Sequence, residues 1–298
     1  MAVLSQAMVA LGLALMLFNI YSVARFVSTQ RDVLTGKSDV TLSYVILAFV
    51  VVFAIVYAYI FFQNFAEPSI GIILLSGSAF VTVVLQWIYT LVGSIKETAM
   101  DIAEALSTVI DARDRDLRGH SRHVEAISML IYDALPEHQR SKINKTNLEY
   151  AAIFHDLGKL GVPESILNKP GALNEQDWVV MRRHPQIGVD ILQPVKSFAD
   201  IQDWIRLHHE RIDGRGYYGV PGDQIPLEAR IITVADVFSA LLMKRSYKEA
   251  ASYDECIAIM RECAGTQLDA QLVELFCSIP KDKVMACSRC LYTTDVSN

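Results

Sequence analysis

The stretch that decides the reading is Ile153-Phe154-His155-Asp156-Leu157-Gly158-Lys159. The apolar residues Ala151 to Phe154 lead into it and predict a buried start. A histidine and an aspartate then stand side by side, followed by a glycine and a lysine. Neutral imidazole and carboxylate are common ligands of divalent transition metals. Neighbours on a helix point about 100° apart, so both side chains reach one site only near a helix end or around a pair of metals. The lysine could hold an anion beside that site. Taken alone, the doublet reads better as a buried histidine–aspartate hydrogen bond at a helix C-terminus. The rest of the chain reverses that preference.

The chain has seven histidines. Besides His155, His120 lies in Arg118-Gly-His-Ser-Arg122, His184 in Arg182-Arg-His-Pro185, and His208 and His209 precede Glu210. Asp236 sits inside the apolar run Ile231 to Phe238. A carboxylate buried there without a partner is costly, and a metal would serve as one. Singly each histidine reads as structural. Together, His120, His155, His184, His208, His209, Asp156 and Asp236 on successive helices predict a two-metal site. His123 and His138 lack such company and read as surface or helix-packing residues.

Around these residues the periodicity is helical and strand alternation is absent, which predicts an all-α domain. Helices are expected over about 120–135, 146–157, 175–192, 199–210, 227–243, 253–263 and 269–279. Asn174 with Asp177 and Ser252 with Glu255 resemble capping boxes. The Gly- and Pro-rich segment 211–226 reads as a loop.

Upstream the character changes. The chain of 298 residues is 52% hydrophobic, and the excess lies at its start. Apolar runs at about 3–24, 44–62 and 70–92 each approach the ~20 residues that cross a bilayer. The first lacks the basic start and cleavage site of a signal peptide. Arg25, Arg31 and Lys37 fall between the first two runs, and no lysine or arginine falls between the second and third. The positive-inside rule places the first loop and the C-terminal domain in the cytoplasm, with the N-terminus outside. The charges before Gly93 cancel, so the net charge of −6 belongs to the later part. An acidic domain is a poor partner for a nucleic-acid polymer, and an anionic substrate would need bound metal to invert the field. The five cysteines are late and irregularly spaced, which argues against a disulfide framework. Cys287 and Cys290 form a lone CxxC that cannot complete a structural zinc site.

No Pro/Gly-rich linker separates the two parts. Val92, Ile95, Ala99, Ile102, Leu106 and Val109 follow the three-four spacing of a coiled-coil seam. This fits a homodimer through a connector helix, or a helix whose later half packs on its own domain. The expected organisation is a membrane region at 1–93, a connector at 94–113, a phosphohydrolase-like domain at 114–280 and a tail at 281–298.

The order of HDLGK, Asn168-Lys-Pro-Gly171, Arg183-His-Pro185, His208-His-Glu-Arg211, Asp213-Gly-Arg-Gly-Tyr217, Ile225-Pro226, Ala229-Arg-Ile-Ile232 and Ala235-Asp236 resembles the HD-GYP family. These are bacterial phosphodiesterases of cyclic di-GMP within the HD superfamily. The likeness runs from about Leu106 to Ile279. It does not cover the three crossings; it implies an all-α HD fold after them and a bacterial protein, which together with the crossings gives an expected place in the bacterial inner membrane. It implies His120, His155, Asp156, His184, His208, His209 and Asp236 as metal ligands, with Asp156 bridging two ions and Asp116 available to a third. Iron or manganese is the implied metal. Lys159 would bind a phosphate oxygen or assist the leaving group, Arg245 and Lys248 would hold substrate, and Tyr217 would border the pocket. The implied reaction opens cyclic di-GMP to pGpG, and onward to GMP.

Three positions depart from the family pattern. Tyr218 replaces the proline of GYP, Ser239 replaces an aspartate, and His123 replaces an arginine. Tyr218 and Ser239 leave room for a receptor that binds the dinucleotide without turnover, and a membrane scaffold is a third reading.

Overall fold

The computed structural model describes residues 2–29, 37–63, 67–114, 119–243 and 250–288, and every regular element among them is helical. The chain divides into two units, Met1–Ala99 and Met100–Asn298. The division falls six residues later than the sequence places the end of the membrane region, inside one continuous helix.

The first unit contains α1 (Ala2–Thr29), α2 (Lys37–Phe62) and the beginning of α3 (Pro68–Arg113). All three are long and apolar enough to cross a membrane. Their packing is modest. Met16, Val50, Ala54 and Tyr57 form one cluster, and Val23, Val27 and Leu85 another. Phe26 stacks on Tyr89 with ring centroids 4.4 Å apart. Polar side chains bond within the unit: Ser5 donates to the Glu67 carbonyl and Tyr57 to that of Leu74. Phe49, Phe53, Ile73, Phe80 and Trp87 point outward. That surface suits hydrocarbon, where helices satisfy their own backbone and bind one another through packing and a few hydrogen bonds.

The second unit takes in the end of α3 and then α4 (His120–Ala134), α5 (Glu137–Arg140), α6 (Lys145–Phe154), α7 (Glu164–Leu167), α8 (Glu175–Met181), α9 (His184–Leu192), α10 (Gln202–Arg206), α11 (Leu227–Leu242), α12 (Tyr253–Cys263), α13 (Ala270–Ser278) and α14 (Lys281–Cys287). One core joins α4, α6, α10, α11 and α13 through Ile127, Ile131, Leu148, Phe154, Ile205, Ile232, Phe238 and Phe276. Along α3, Ala103, Ser107, Ile110 and Asp111 face inward, while Ile102, Leu106 and Val109 stay exposed. Arg113 ties the end of α3 to the site, donating to the carbonyls of Leu160 and Val162.

Both predicted capping boxes form, Asn174 with Asp177 and Ser252 with Glu255. Four expectations need correction, the first being the helix expected over 199–210, which is reduced to α10, Gln202–Arg206. The helix expected over 175–192 breaks into α8 and α9, because Pro185 in the first turn of α9 has no N–H to continue a helix. The helix expected to reach residue 157 ends at Phe154 and passes into a 3₁₀ turn, Leu157–Gly161. The tail contains α14, which starts after Pro280 and is held by buried Val284.

Candidate metal centre and its pocket

His155 and Asp156 occupy the junction between α6 and the 3₁₀ turn. The change of helix type at this point lets adjacent side chains face one place. Gly158 makes the next contact: a Cβ there would lie 1.8 Å from the His184 carbonyl oxygen. Only glycine lets this turn rest against the start of α9, which carries His184. His208 and His209 follow α10, and His120 opens α4. Asp236 comes from the middle of α11.

The structure gathers these side chains into two overlapping sets. Asp156, His184, His208 and His209 each offer one ligand atom within 4.8 Å of the others, and His120, His155 and Asp156 form a second set of the same kind. Asp156 belongs to both. Asp236 adjoins the second set, with Oδ1 3.1 Å from His120 Nε2 and 4.0 Å from His155 Nε2. The rings pack closely, His208 on His209 at 4.0 Å and His184 on His209 at 5.0 Å between centroids.

Divalent metal ions fit this donor set on two observations. Nδ1 of His155, His184 and His208 sits 2.7, 2.9 and 2.6 Å from the carbonyls of Ala152, Met181 and Ile205. A carbonyl only accepts, so Nδ1 carries the proton and Nε2 presents its lone pair, the arrangement that second-sphere partners give metal-bound histidines. The same three Nε2 atoms and Asp156 Oδ1 are buried without a hydrogen-bond partner. Each buried orphan costs about 1–3 kcal/mol, which an ion would offset. His184 Nε2 approaches Asp156 Oδ1 at 3.3 Å without hydrogen-bond geometry.

The electrostatics follow from burial and crowding. Burial, then the neighbouring imidazoles, holds His208 far below the usual histidine range and His209 down to about 3. Burial alone would also lower His155, but the negative charges of Asp156 and Asp236 outweigh it and draw positive charge, a proton or an ion, to Nε2. Lys159 donates to Asp156 Oδ2 at 2.7 Å and lies 3.8 Å from Asp114. Burial works against its charge, but those two carboxylates prevail and raise its pKa.

These groups open into a cavity of about 840 Å³, also lined by Trp178, Arg182, Arg211 and Tyr217. The Tyr217 ring lies over His209, with centroids 4.6 Å apart. Buried Glu210 fixes the loop that carries Tyr217 by accepting the backbone N–H groups of Tyr218 and Val220. Arg182 lies over the faces of Trp178 and Tyr217.

Asp116, Arg245, Lys248 and Cys290 lie outside the described residues. Among the described residues, Cys256, Cys263, Cys277 and Cys287 form no disulfide with one another. Of the two readings of His123, surface or helix-packing, the structure supports the second. His123 is fully buried, with Nδ1 2.8 Å from Ser239 Oγ, which is also 2.9 Å from His120 Nδ1. Burial, then His120, brings its pKa down to about 3. A paired spacing carried the signal: His120 and His123 are three apart on one helix, as are Asp236 and Ser239 on another.

A family model described as HD domain matches residues 100–272. The chain is 39% identical over 171 residues to the 3'3'-cGAMP-specific phosphodiesterase 3 of Vibrio cholerae, covering 57% of this chain and 36% of that protein. It is 38% identical over 183 residues to the cyclic di-GMP phosphodiesterase response regulator RpfG of Xanthomonas campestris, covering 60% and 48%. A cyclic di-GMP phosphodiesterase of Thermotoga maritima is 32% identical over 185 residues, with 61% and 50% covered. The chain thus spans half or less of the length of these curated relatives. With the family model covering more than half of this chain, the protein belongs to the HD-domain family, in its HD-GYP branch.

Proposed function

We propose that the protein is a membrane-anchored, metal-dependent phosphodiesterase that opens cyclic di-GMP to pGpG, and onward to GMP. The observation that carries this reading is the set of buried, unpartnered imidazole and carboxylate atoms beside a cavity of about 840 Å³. His184, His208, His209 and Asp156 would hold one ion, and His120, His155, Asp156 and Asp236 a second, with Asp116 available to a third. Iron or manganese suits these mixed donors. Bound ions would supply positive charge against the phosphate oxygens and acidify water for in-line attack.

The chain's own groups do the rest. Asp156 joins the two ligand sets, and its deletion removes a donor from both. Lys159 keeps its proton and offers it to a phosphate oxygen or to the departing oxygen. Tyr217, with Trp178 and Arg182, provides flat surfaces on which a guanine base stacks. Arg245 and Lys248 would add positive charge along the substrate. Carbonyl anchoring of three histidines holds their lone pairs in place before substrate arrives, so little reorganisation accompanies reaction.

Residues 1–93 would anchor the protein in the bacterial inner membrane, with the N-terminus outside and the phosphohydrolase domain, 114–280, in the cytoplasm. The connector, 94–113, would pair with a second copy. The exposed stripe Ile95, Ile102, Leu106 and Val109 supports this, since its spacing is that of a two-stranded seam. A second substrate is favoured by one finding: the 39% identical relative is named for 3'3'-cGAMP.

The test uses the full chain in detergent without oxygen, supplied with iron or manganese and given cyclic di-GMP, 3'3'-cGAMP or cyclic di-AMP in turn. Release of pGpG from cyclic di-GMP, lost in Asp156→Ala, supports the proposal. Faster turnover of 3'3'-cGAMP transfers the assignment to that dinucleotide. Tight binding without product makes the protein a receptor.

A further inference from the structure

Among the imidazoles of the metal centre, His120 is held differently from those fixed by backbone carbonyls. Nδ1 of His155, His184 and His208 faces a carbonyl three residues earlier. That acceptor is built into the helix turn and can only accept. His120 Nδ1 instead faces the hydroxyl of Ser239, at 2.9 Å. A hydroxyl both donates and accepts, so it does not by itself decide which nitrogen of His120 carries the proton. A further group must take the hydroxyl hydrogen. His123 Nδ1 lies 2.8 Å from the same oxygen. On its far side, His123 Nε2 lies 3.3 Å from Ser288 Oγ, at the end of α14. All four side chains are buried, so water does not compete for these bonds.

Met243 Sδ, 3.9 Å from Ser239 Oγ, is a competing but weak acceptor. With the stronger acceptor His123 Nδ1 taking the hydroxyl hydrogen, one ordering follows when His120 presents its Nε2 lone pair to a metal. Nδ1–H of His120 donates to Ser239 Oγ. The single Ser239 hydrogen then points to His123 Nδ1, which must be bare. His123 therefore carries its proton on Nε2 and donates to Ser288 Oγ. We propose that Ser239 and His123 are positioning residues that set the tautomer of His120 and so govern the affinity of the His120-side metal position. At the other position His184 and His208 rest on backbone anchors, and no such relay is needed to set them. This inference rests on the two-ion reading above and extends it to residues that touch neither ion nor substrate. It also gives α14 a part in the site, since Ser288 is the last acceptor of the relay.

The test uses the full chain in detergent with zinc, a diamagnetic ion suited to imidazole and carboxylate donors, and histidines labelled with ¹⁵N in the ring. Zinc affinities are read by competition with a chelator, and tautomers from two- and three-bond ¹⁵N–¹H couplings. The zinc-loaded wild type is expected to bind two ions, with His120 protonated at Nδ1 and His123 at Nε2. Ser239→Ala and His123→Phe should each weaken one ion by about 10- to 100-fold and leave the other unchanged. Ser239→Thr, which keeps the hydroxyl, should restore it. Two ions of unchanged affinity in Ser239→Ala would overturn the relay alone. So would a wild-type His123 protonated at Nδ1, a result that needs no variant to fold. A wild-type chain that binds no zinc would overturn the metal reading and the relay together.

Discussion

In the unit ending at Ala99, the buried polar side chains are Ser5, Asn19 and Ser78. They are scattered: Ser5 donates to the Glu67 carbonyl and Ser78 to that of Leu75, while Asn19 Oδ1 is buried without a hydrogen-bond partner. In the unit beginning at Met100, the buried polar side chains include His120, His123, His155, Asp156, His184 and His208. Several of these keep an unpartnered atom at one shared place. The outsides differ too: the first unit presents Phe49, Phe53, Phe80 and Trp87, and the second mostly polar side chains. An isolated orphan such as Asn19 Oδ1 offers a single donor atom, too few to hold an ion. Gathered ones that stay unsatisfied are costly, and they persist where something else is meant to satisfy them.

The sharpest way to break this comparison is at Gly158. A methyl group there would meet the His184 carbonyl at 1.8 Å, and backbone cannot yield as a side chain tip can. Gly158→Ala should cost about 3 kcal/mol or more and abolish metal binding, while the chain still fractionates with membranes. Thermal melting and metal analysis on the same preparation check this. Full metal binding in the variant would mean that the close approach is dispensable.

Next in size is a charge on the first unit's outer face. Val52 is exposed on α2. Val52→Asp should make insertion about 2.5–3.5 kcal/mol less favourable, read as a larger carbonate-extractable fraction. An unchanged fraction would show that α2 does not meet lipid. The exposed stripe on α3 sharpens the picture further. Changing Ile102 and Val109 to serine should lower disulfide-free chemical crosslinking between copies, with the melting temperature of the unit from Met100 nearly unchanged. A large fall in melting temperature would mean that the stripe packs within its own chain.

The smallest effect concerns Glu125 on α4. Burial, then Glu149 and Glu104, raises its carboxyl to about 7 from an ordinary 4.5. A raised carboxyl pKa means that the folded state keeps its proton where the unfolded state has lost it. The stability it contributes is complete below pH 4.5 and is lost as pH rises through 7. Glu125→Gln should therefore match the wild type at pH 4 and exceed it at pH 8 in denaturant midpoint. Equal midpoints at both values would remove Glu125 from the account.

Much of this was legible because bilayers and metals impose simple patterns on sequence. A membrane crossing needs an unbroken apolar run, and the runs at 3–24, 44–62 and 70–92 became α1, α2 and part of α3. Five histidines in polar contexts and two aspartates, one of them inside an apolar run, could be read as one group before any contact was known. What escaped depends on contacts between distant segments. Ser239 and His123 are 116 residues apart and meet only because α4 packs on α11. The break before His184 was readable from Pro185 but was outweighed by the apolar periodicity on either side. Ser288 could not be placed from sequence, because nothing in the polar tail announces a buried hydroxyl.

The central claim is that two metal ions share Asp156. The most direct measurement counts manganese per chain in purified full-length protein by elemental analysis, wild type beside Asp156→Ala, after dialysis against a defined free-ion concentration. The account predicts two ions in the wild type and a loss at both positions in the variant, since one carboxylate serves both sets. Two ions retained without Asp156, or none bound with it present, would contradict it.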